Sequence, residues 1–434
     1  MRKSFKMLSL LLAAVLLFAN VNFALAEEKV ITIPHYKTGE NVGAHFFMPQ
    51  VERFNKLYEG KYQINLEELT QDLYNDKMKQ LGQQNALPAL VEGGETEWIR
   101  NVVMPNGLFT DMTEFVNKNE AVKKVLIDST LTYNTTEDGK LFSLIAPVVR
   151  PIGLFYNADM ITVDKKLGEM TGWDEFVKYL GDTKVAFMTG ENAWTTQLTL
   201  SGLIAKEEGG AALLQNSTVN KIYDFTQEPI VKAVEKLQTL LQKHAASNTV
   251  GAVYADAANA FMSKSASVIP NGSWMVSEFD AASKDKWSNG FDGATVRGDV
   301  LPGNVALANT NGFGWWIPST VSADEREVTE AFLAFMLTQE ELEAYMLAEG
   351  GVAPGLTTSE EFNTKSKENP LMYEYVNAVN AETVLVPNFG DCVPASISDT
   401  EFGKNLPLLI DGTWTAEEFC KQLTTLAEET KLNQ

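Results

Sequence analysis

Residues that could perform catalysis occur throughout this sequence, but their spacing matches no catalytic site. The three histidines, His35, His45 and His244, lack the His-Glu-x-x-His spacing of a zinc site. The sequence also lacks a Gly-x-Ser-x-Gly nucleophile elbow and a phosphate-binding Gly-x-x-x-x-Gly-Lys-Ser/Thr loop. Carboxylates are numerous and two of them could act as a glycosidase pair, but the sequence does not select which two. The pattern favours binding, with no metal or cofactor, over catalysis.

The elements that must position any binding residues are indicated by the spacing of apolar side chains. Residues 30–34 form an apolar run typical of a buried strand, residues 44–54 are apolar at helical spacing, and residues 62–66 alternate as in a half-buried strand. This alternation of strands and helices predicts an α/β architecture. Three helix starts carry the capping-box pattern, with glutamate three positions later: Ser322, Thr338 and Thr415.

The length of 434 residues predicts two lobes, because single domains are typically about 100–200 residues long. The sequence contains no internal repeat and no long Pro/Gly linker between two halves. We therefore expect the chain segments of the two lobes to be interleaved. The formal net charge of -22 at pH 7 excludes nucleic acid as an expected partner, since such a surface repels phosphate.

The N-terminus has the order of features found in a cleavable signal peptide. Basic residues precede an apolar run at residues 7–18, and a small-residue pattern, Ala-Leu-Ala, ends at Ala26. A membrane span needs about 20 apolar residues, and this run is shorter. We expect residues 1–26 to be removed. No cysteine lies near this position, so we expect no lipid anchor and a soluble, periplasmic protein.

The two cysteines of the chain, Cys392 and Cys420, both lie near its C-terminus. A pair of cysteines in an exported protein is consistent with a disulfide. Two separate buried thiols are an equal alternative, because a bridge requires Cα atoms within about 7 Å of each other. The sequence leaves both alternatives open.

Four segments, in order along the chain, resemble the bacterial extracellular solute-binding proteins of the maltose-binding type. Each segment is short, and the resemblance depends on finding all four in the family's order over nearly the whole mature chain. Two departures occur: Ala89 follows Leu87-Pro88 where the family usually has aspartate, and no late tryptophan is evident near residues 386–390, so maltose is not supported. The four segments are residues 154–160 (LFYNADM), 172–176 (GWDEF), 261–274 (ending NGSW) and 311–318 (NGFGWWIP).

The resemblance implies an α/β, two-lobed periplasmic-binding-protein fold with interleaved lobes and a hinge between them. The N-terminal lobe is expected at residues 27–149 and 312–353, and the C-terminal lobe at residues 150–311 and 354–434. The implied function is that of the extracytoplasmic substrate-binding component of an ABC importer. Such a protein binds a carbohydrate between its lobes, acts as a monomer, performs no catalysis and delivers its solute to permease subunits.

The resemblance and the residue types together give a set of candidate ligand contacts. Trp274 is the expected stacking platform for the apolar face of a sugar ring, although a buried core tryptophan is the alternative. Arg150, on the first crossing between the lobes, offers a fork of donors to hydroxyls or to a carboxylate. It therefore indicates either an acidic ligand or a salt bridge within the protein. The remaining candidates are Trp194, Tyr156, His35, Tyr36, Glu95 and Gly312.

Two alternative functions stay open at the level of the sequence. An extracytoplasmic glycosidase or lyase could use two of the many carboxylates. The same fold could also bind a solute that is not a sugar, such as a polyamine or a phosphate ester.

Overall fold

A computed structural model describes residues 28–39, 41, 43–218, 220–308 and 312–432 of the chain. The predicted signal peptide lies outside these residues. Within the described part of the chain, no helix is both long enough and apolar enough to cross a membrane.

Strands and short helices alternate along most of the described chain. The strands are β1 (Lys29–His35), β2 (Tyr62–Glu68), β3 (Val91–Glu92), β4 (Ile152–Asn157), β5 (Val268–Gly272), β6 (Val296–Asp299), β7 (Val305–Leu307), β8 (Trp315–Trp316) and β9 (Val384–Val386). The helices are α1 (Ala44–Leu57), α2 (Gln71–Gln83), α3 (Thr96–Trp98), α4 (Thr113–Lys118), α5 (Glu120–Val125), α6 (Asp128–Asn134), α7 (Trp173–Leu180), α8 (Trp194–Lys206), α9 (Gly210–Asn216), α10 (Glu228–His244), α11 (Tyr254–Met262), α12 (Ala323–Met336), α13 (Gln339–Glu349), α14 (Glu360–Lys365), α15 (Pro370–Val376), α16 (Phe402–Ile410) and α17 (Ala416–Leu432). Further 3-10 segments are Leu167–Glu169, Ser273–Phe279, Ala281–Lys286, Gly293–Thr295, Ser366–Glu368 and Phe389–Cys392, and π-helical segments are Ile99–Val103 and Ser396–Glu401.

The N-terminal lobe is built on a βαβ unit in which α1 connects the parallel strands β1 and β2. Helices α1 and α12 pack against these strands. Ile33, Phe54 and Phe332 are fully buried in the resulting core. The strands predicted at residues 30–34 and 62–66 and the helix predicted at residues 44–54 are confirmed.

The C-terminal lobe contains a five-stranded sheet in the order β5-β4-β7-β9, with β6 also paired to β4. Strand β4 is antiparallel to β5, β6 and β7, and β7 is parallel to β9. Helices α8, α10 and α17 pack together on this lobe. Its main core unites residues between 152 and 307 with residues between 386 and 427.

The two lobes are interleaved, because the core of the N-terminal lobe likewise combines two distant segments, residues 31–144 and 315–342. The chain therefore passes between the lobes more than once. Two of these passages lie side by side, where Val149 and Val352 form an antiparallel bridge. The two-lobed α/β fold is as expected, while the residue limits given above for each lobe stay a prediction.

Two of the three predicted capping boxes form in full, at Ser322 and at Thr415. At Thr338 the hydroxyl accepts the N–H of Glu341. The Glu341 carboxylate does not return this hydrogen bond but pairs with Arg53, at 2.7 Å. The box at Thr338 is therefore half formed, because an ion pair between α1 and α13 takes its carboxylate.

Cys392 and Cys420 are free thiols, and both are fully buried. The Cys392 thiol donates to the carbonyl of Leu214, at 3.3 Å. Burial raises the pKa of each thiol to about 12, so the nucleophilic thiolate is suppressed at neutral pH. Of the two alternatives, the structure has separate buried thiols.

We expect neither thiol to react with a water-soluble alkylating reagent in the folded protein and both to react after unfolding in denaturant. The measurement is mass spectrometry after iodoacetamide treatment, without and with prior reduction. A requirement for reduction before two alkyl groups are added would show a disulfide and contradict the structure.

Candidate ligand-binding site

A cavity of about 540 Å³ lies between the two lobes. This volume is within the range of about 300–1,000 Å³ that is typical of small-molecule sites. The N-terminal lobe supplies loops after β1 and before β8 together with α12 and α13, while the C-terminal lobe supplies the start of α8, the segment after β5 and residues around 388–391. Both apolar rings and charged groups line the cavity.

Trp274 and Trp194 form the aromatic wall of the C-terminal lobe. Their ring centroids are 6.3 Å apart, and Trp194 also stacks on Tyr254 at 5.2 Å. Trp194 is the first residue of α8, and Trp274 is the second residue of the 3-10 segment that follows β5. A side chain on Gly272 would place its Cβ 2.2 Å from the Trp274 ring, so glycine there allows the indole to lie across the end of β5. Both tryptophans are half-buried and line the cavity.

The opposite wall belongs to the N-terminal lobe and is also aromatic. Tyr36 follows β1 and stacks on His35, with ring centroids 4.7 Å apart. Trp315 stacks on Phe47, with ring centroids 5.4 Å apart. Tyr345 on α13 completes the wall. The cavity is therefore bounded by rings from both lobes.

The Glu92 carboxylate contacts two residues next to this wall: the buried His35 and Lys37, which lines the cavity. The backbone N–H of Lys37 donates to His35 Nδ1 at 2.9 Å, so the proton of the neutral imidazole lies on Nε2, which is 2.9 Å from Glu92 Oε2. Glu92 Oε1 accepts from Lys37 Nζ at 2.7 Å. Burial lowers the pKa of His35, which keeps the ring neutral at pH 7. Burial also opposes the ionisation of Glu92, but the Lys37 charge and the contact with the His35 ring outweigh it and lower the pKa of Glu92 to about 2.

We expect the substitution Glu92→Gln to lower the free energy of unfolding by about 2 kcal/mol at pH 7, because Lys37 loses its counter-charge. The pKa of Glu92 is lower in the folded protein than its ordinary value of 4.5, so its stabilising effect is complete above that pH and is lost as the pH falls toward 2. Denaturant unfolding of both proteins at several pH values measures this difference. The exposed Glu59, changed to glutamine, is the matched control. A difference that does not shrink in acid would contradict this interpretation of Glu92.

Arg150 lies between the two aromatic walls. Its guanidinium is 4.9 Å from the centroid of Trp274 in the C-terminal lobe and 5.5 Å from that of Tyr345 in the N-terminal lobe. The Nη1 atom donates to Glu349 Oε2 at 3.1 Å. The salt bridge anticipated as one alternative for Arg150 is therefore present, and the arginine still lines the cavity.

Asn388 and Asp391 supply polar groups from the C-terminal lobe. Asn388 Oδ1 accepts from Ser201 on α8 at 3.2 Å. Burial raises the pKa of Asp391 to about 6, and the positive charge of Lys221 partly offsets this effect. The Asp391 carboxyl therefore changes charge close to neutral pH.

Five of the eight candidate residues come together around the cavity: Trp274, Trp194, Arg150, Tyr36 and Gly312. The carbonyl of Gly312 accepts from the amide of Asn134 at 3.0 Å, which fixes the backbone at this point. The role of these residues as ligand contacts stays a prediction.

The structure places the other three candidates outside the cavity lining. His35 is fully buried beneath Tyr36, where it supports Glu92. Tyr156 lies four residues along β4 from Ile152, which does line the cavity, and packs against the C-terminal core. Glu95 immediately precedes α3 and pairs with Lys79 on α2, so the loop after Gly93 folds onto the N-terminal lobe.

Several charged residues of the cavity are not among the residues selected from the sequence: Lys37, Glu92, Glu349 and Asp391. Glu349 is the last residue of α13 and precedes Gly350-Gly351. That glycine pair indicates a close approach of the backbone, and it is the one sequence signal that could have directed attention to Glu349.

Within the described residues, no cluster of three or more His, Cys, Asp or Glu side chains is arranged to hold a metal ion. The cavity instead offers aromatic rings, hydrogen-bond donors and carboxylate acceptors. Such a site can bind a small organic molecule by stacking and hydrogen bonding.

A family model described as bacterial extracellular solute-binding protein matches residues 50–374, more than half of the chain. The chain belongs to this family. It is therefore a solute-binding protein rather than an enzyme, and the glycosidase alternative is set aside. Among curated proteins, no sequence matches this solute-binding protein.

Solved structures of other binding proteins share the fold. A chitin oligosaccharide binding protein has 18% identity and a TM-score of 0.74, with 92% of this chain and 98% of that chain covered. A Streptococcus pneumoniae solute-binding protein in complex with the blood group A-trisaccharide has 15% identity and a TM-score of 0.69, covering 92% and 99%. An ABC transporter solute binding protein from Thermotoga lettingae bound with α-D-tagatose has 17% identity and a TM-score of 0.68, covering 93% and 99%. At these identities the likeness establishes the two-lobed fold of this solute-binding protein.

Proposed function

We propose that this protein is the extracytoplasmic substrate-binding component of an ABC importer and that its solute is a carbohydrate. The observation that carries the proposal is the cavity between the lobes, with Trp194 and Trp274 on one side and Tyr36 and Tyr345 on the other. Rings on both sides suit a solute with two apolar faces. The lobes close on it by hinge motion near the paired segments at Val149 and Val352.

The polar groups of the cavity suit the edge of a sugar ring. Sugar hydroxyls both donate and accept hydrogen bonds, and they need both kinds of partner once water is removed. Arg150 and Lys37 are donors, Glu92 and Glu349 are acceptors, and Asn388 can act as either. The structural relatives that bind a chitin oligosaccharide, the blood group A-trisaccharide and tagatose support the same class of solute.

The proposal includes the location and the partners of the protein. Residues 1–26 act as a signal peptide, and the mature chain begins after Ala26. The mature protein works in the periplasm as a monomer. Its closed form delivers the solute to the permease subunits of the importer. The basic and apolar order of the N-terminus and the extracellular family support this route. Mass spectrometry of the protein from an osmotic-shock fraction measures the mature N-terminus.

A thermal-shift screen tests the proposed solute class. The panel contains chitotriose, the blood group A-trisaccharide, tagatose, galactose, raffinose and xylotriose. At a concentration of one hundred times Kd, a bound sugar adds about 2.7 kcal/mol to the free energy of unfolding. We expect at least one sugar to raise the melting temperature and to be recovered unchanged by chromatography. Stabilisation by a polyamine or a phosphate ester, with no effect of any sugar, would overturn the carbohydrate assignment.

A further inference from the structure

The charged groups of the cavity are arranged in pairs. Lys37 and Arg150 are the cations that line it, and each contacts a carboxylate: Lys37 contacts Glu92 at 2.7 Å and Arg150 contacts Glu349 at 3.1 Å. Asp391 adds a third carboxylate from the opposite lobe. Among the described residues, the lining therefore contains more carboxylates than cations. An anionic solute entering this cavity meets no excess of positive charge.

The guanidinium of Arg150 has little freedom to leave its partner. Trp274 and Tyr345 approach it from the two lobes, and its side chain is 32% exposed. Among the described residues, Glu349 accepts its only side-chain hydrogen bond. The remaining N–H groups of the planar fork are free to donate to a solute in the cavity.

Glu349 is held more firmly than Arg150. Its side chain is only 4% exposed, and its backbone carbonyl accepts a hydrogen bond from Ser273 of the other lobe. The carboxylate Oε1 accepts no hydrogen bond from the residues that the structure describes, although His45 Nε2 lies 3.3 Å away. Glu349 lines the cavity, and a hydrogen bond that a solute donates to its carboxylate would offset part of the free-energy cost of burying that charge.

We propose that the Arg150–Glu349 pair makes the cavity selective for uncharged carbohydrates over carbohydrates that carry a carboxylate. The inference rests on the proposed function, because it assigns the charge class of the same solute. A sugar hydroxyl satisfies both partners, since its oxygen accepts from Arg150 while its proton is donated to the Glu349 carboxylate. A carboxylate on the solute accepts from Arg150 but has no proton for Glu349. It also places a second negative charge beside one that is already buried.

The test compares matched neutral and acidic sugars by isothermal titration calorimetry. The probes are galactose against galacturonate, raffinose against raffinose oxidised to the uronate at its galactose C6, and xylotriose against glucuronosyl-xylotriose. For each pair in which a member binds, we expect the neutral sugar to bind at least roughly tenfold more tightly than its uronate. The substitution Glu349→Gln removes the negative charge with little change of shape, and it is expected to reduce that ratio by about tenfold.

The control variant is Glu343→Gln, the same change on the same helix. Glu343 accepts from Ser359 and does not line the cavity, so the neutral-to-acidic ratio is expected to stay that of the wild type. A second measurement avoids dependence on the folding of Glu349→Gln. Raising the salt concentration with the wild-type protein is expected to narrow the ratio, because salt screens the repulsion.

Uronates that bind as tightly as their neutral partners, or a ratio that neither Glu349→Gln nor salt changes, would overturn the inference while leaving carbohydrate binding intact. Failure of both members of every pair, together with failure of the whole sugar panel, overturns the proposed function and this inference with it. The two failures are therefore distinguishable.

Discussion

Replacing Trp274 with alanine is expected to weaken carbohydrate binding by roughly thirty- to a hundredfold, equivalent to about 2–3 kcal/mol. The ring faces the cavity and holds one side of the Arg150 guanidinium, so the variant loses both the stacking surface and the positioning of a donor. Isothermal titration calorimetry with a sugar from the thermal-shift screen measures the change in Kd. Trp274→Phe retains a ring and is expected to lose less affinity than the alanine variant.

The matched control for this variant is Trp287→Ala. Trp287 is also half-buried, packs against an apolar cluster of the same lobe and lies outside the cavity lining. The Trp287→Ala substitution removes a ring of the same size from outside the cavity, so sugar affinity is expected to stay within about twofold of the wild type. Equal losses of affinity in both variants would attribute the effect to general destabilisation and would count against Trp274 as a ligand contact.

Replacing Gly314 with alanine is expected to destabilise the protein by about 3 kcal/mol and to lower its melting temperature by about 3–4 °C. The added Cβ would lie 2.1 Å from the carbonyl oxygen of Leu144 and 2.6 Å from Ile145 Cα, and both are backbone atoms. Gly314 cannot move aside easily, because its N–H donates to Ser143 at 3.0 Å and its carbonyl accepts from Gly93 at 2.8 Å. Its neighbour Trp315 lines the cavity, so binding is expected to weaken as well.

Gly107→Ala separates this steric effect from the ordinary cost of replacing glycine. Gly107 has a φ of 61°, but an added Cβ would meet no atom within 4 Å. Its replacement is expected to cost about 1 kcal/mol through backbone strain alone. Differential scanning calorimetry of both variants gives the comparison. Equal melting temperatures for Gly314→Ala and Gly107→Ala would contradict the close backbone contact.

The parts of the fold and site that follow from local sequence were predictable. The spacing of apolar residues correctly predicted the strands β1 and β2 and the helix α1, because each pattern is contained within a few helical turns or one strand. Trp194 and Trp274 could be selected because each lies next to a short motif that fixes where its ring emerges. For Trp274 that motif is the turn at Gly272.

The parts that depend on distant segments were not predictable. Glu349 meets Arg150 across 199 positions of sequence, and nothing near either residue specifies that contact. Glu95 is a residue that the sequence predicts at the site and that the structure places outside the cavity lining. The prediction assumed that the Gly93-Gly94 loop opens toward the cavity. Tertiary packing closes that loop instead, through the contact of Glu95 with Lys79 and the hydrogen bond from Trp316 Nε1 to the carbonyl of Gly93.

The half-formed capping box at Thr338 has the same physical origin. The local pattern predicts that the Glu341 carboxylate accepts a hydrogen bond from the backbone N–H of Thr338 at the helix start, worth about 1 kcal/mol. The guanidinium of Arg53 on α1 provides a charged partner for the same carboxylate, at 2.7 Å. A charge-assisted contact between two helices thus replaces a local one, and no single segment of sequence contains that information.

The most direct test of the central claim is a crystal structure of the protein with the sugar that gives the largest thermal shift. We expect an intact sugar in the cavity between the lobes, with one ring face on Trp274 and a hydroxyl between Arg150 and Glu349. A sugar bound elsewhere on the protein, or a sugar in the cavity that contacts neither Trp274 nor the Arg150–Glu349 pair, would contradict the account.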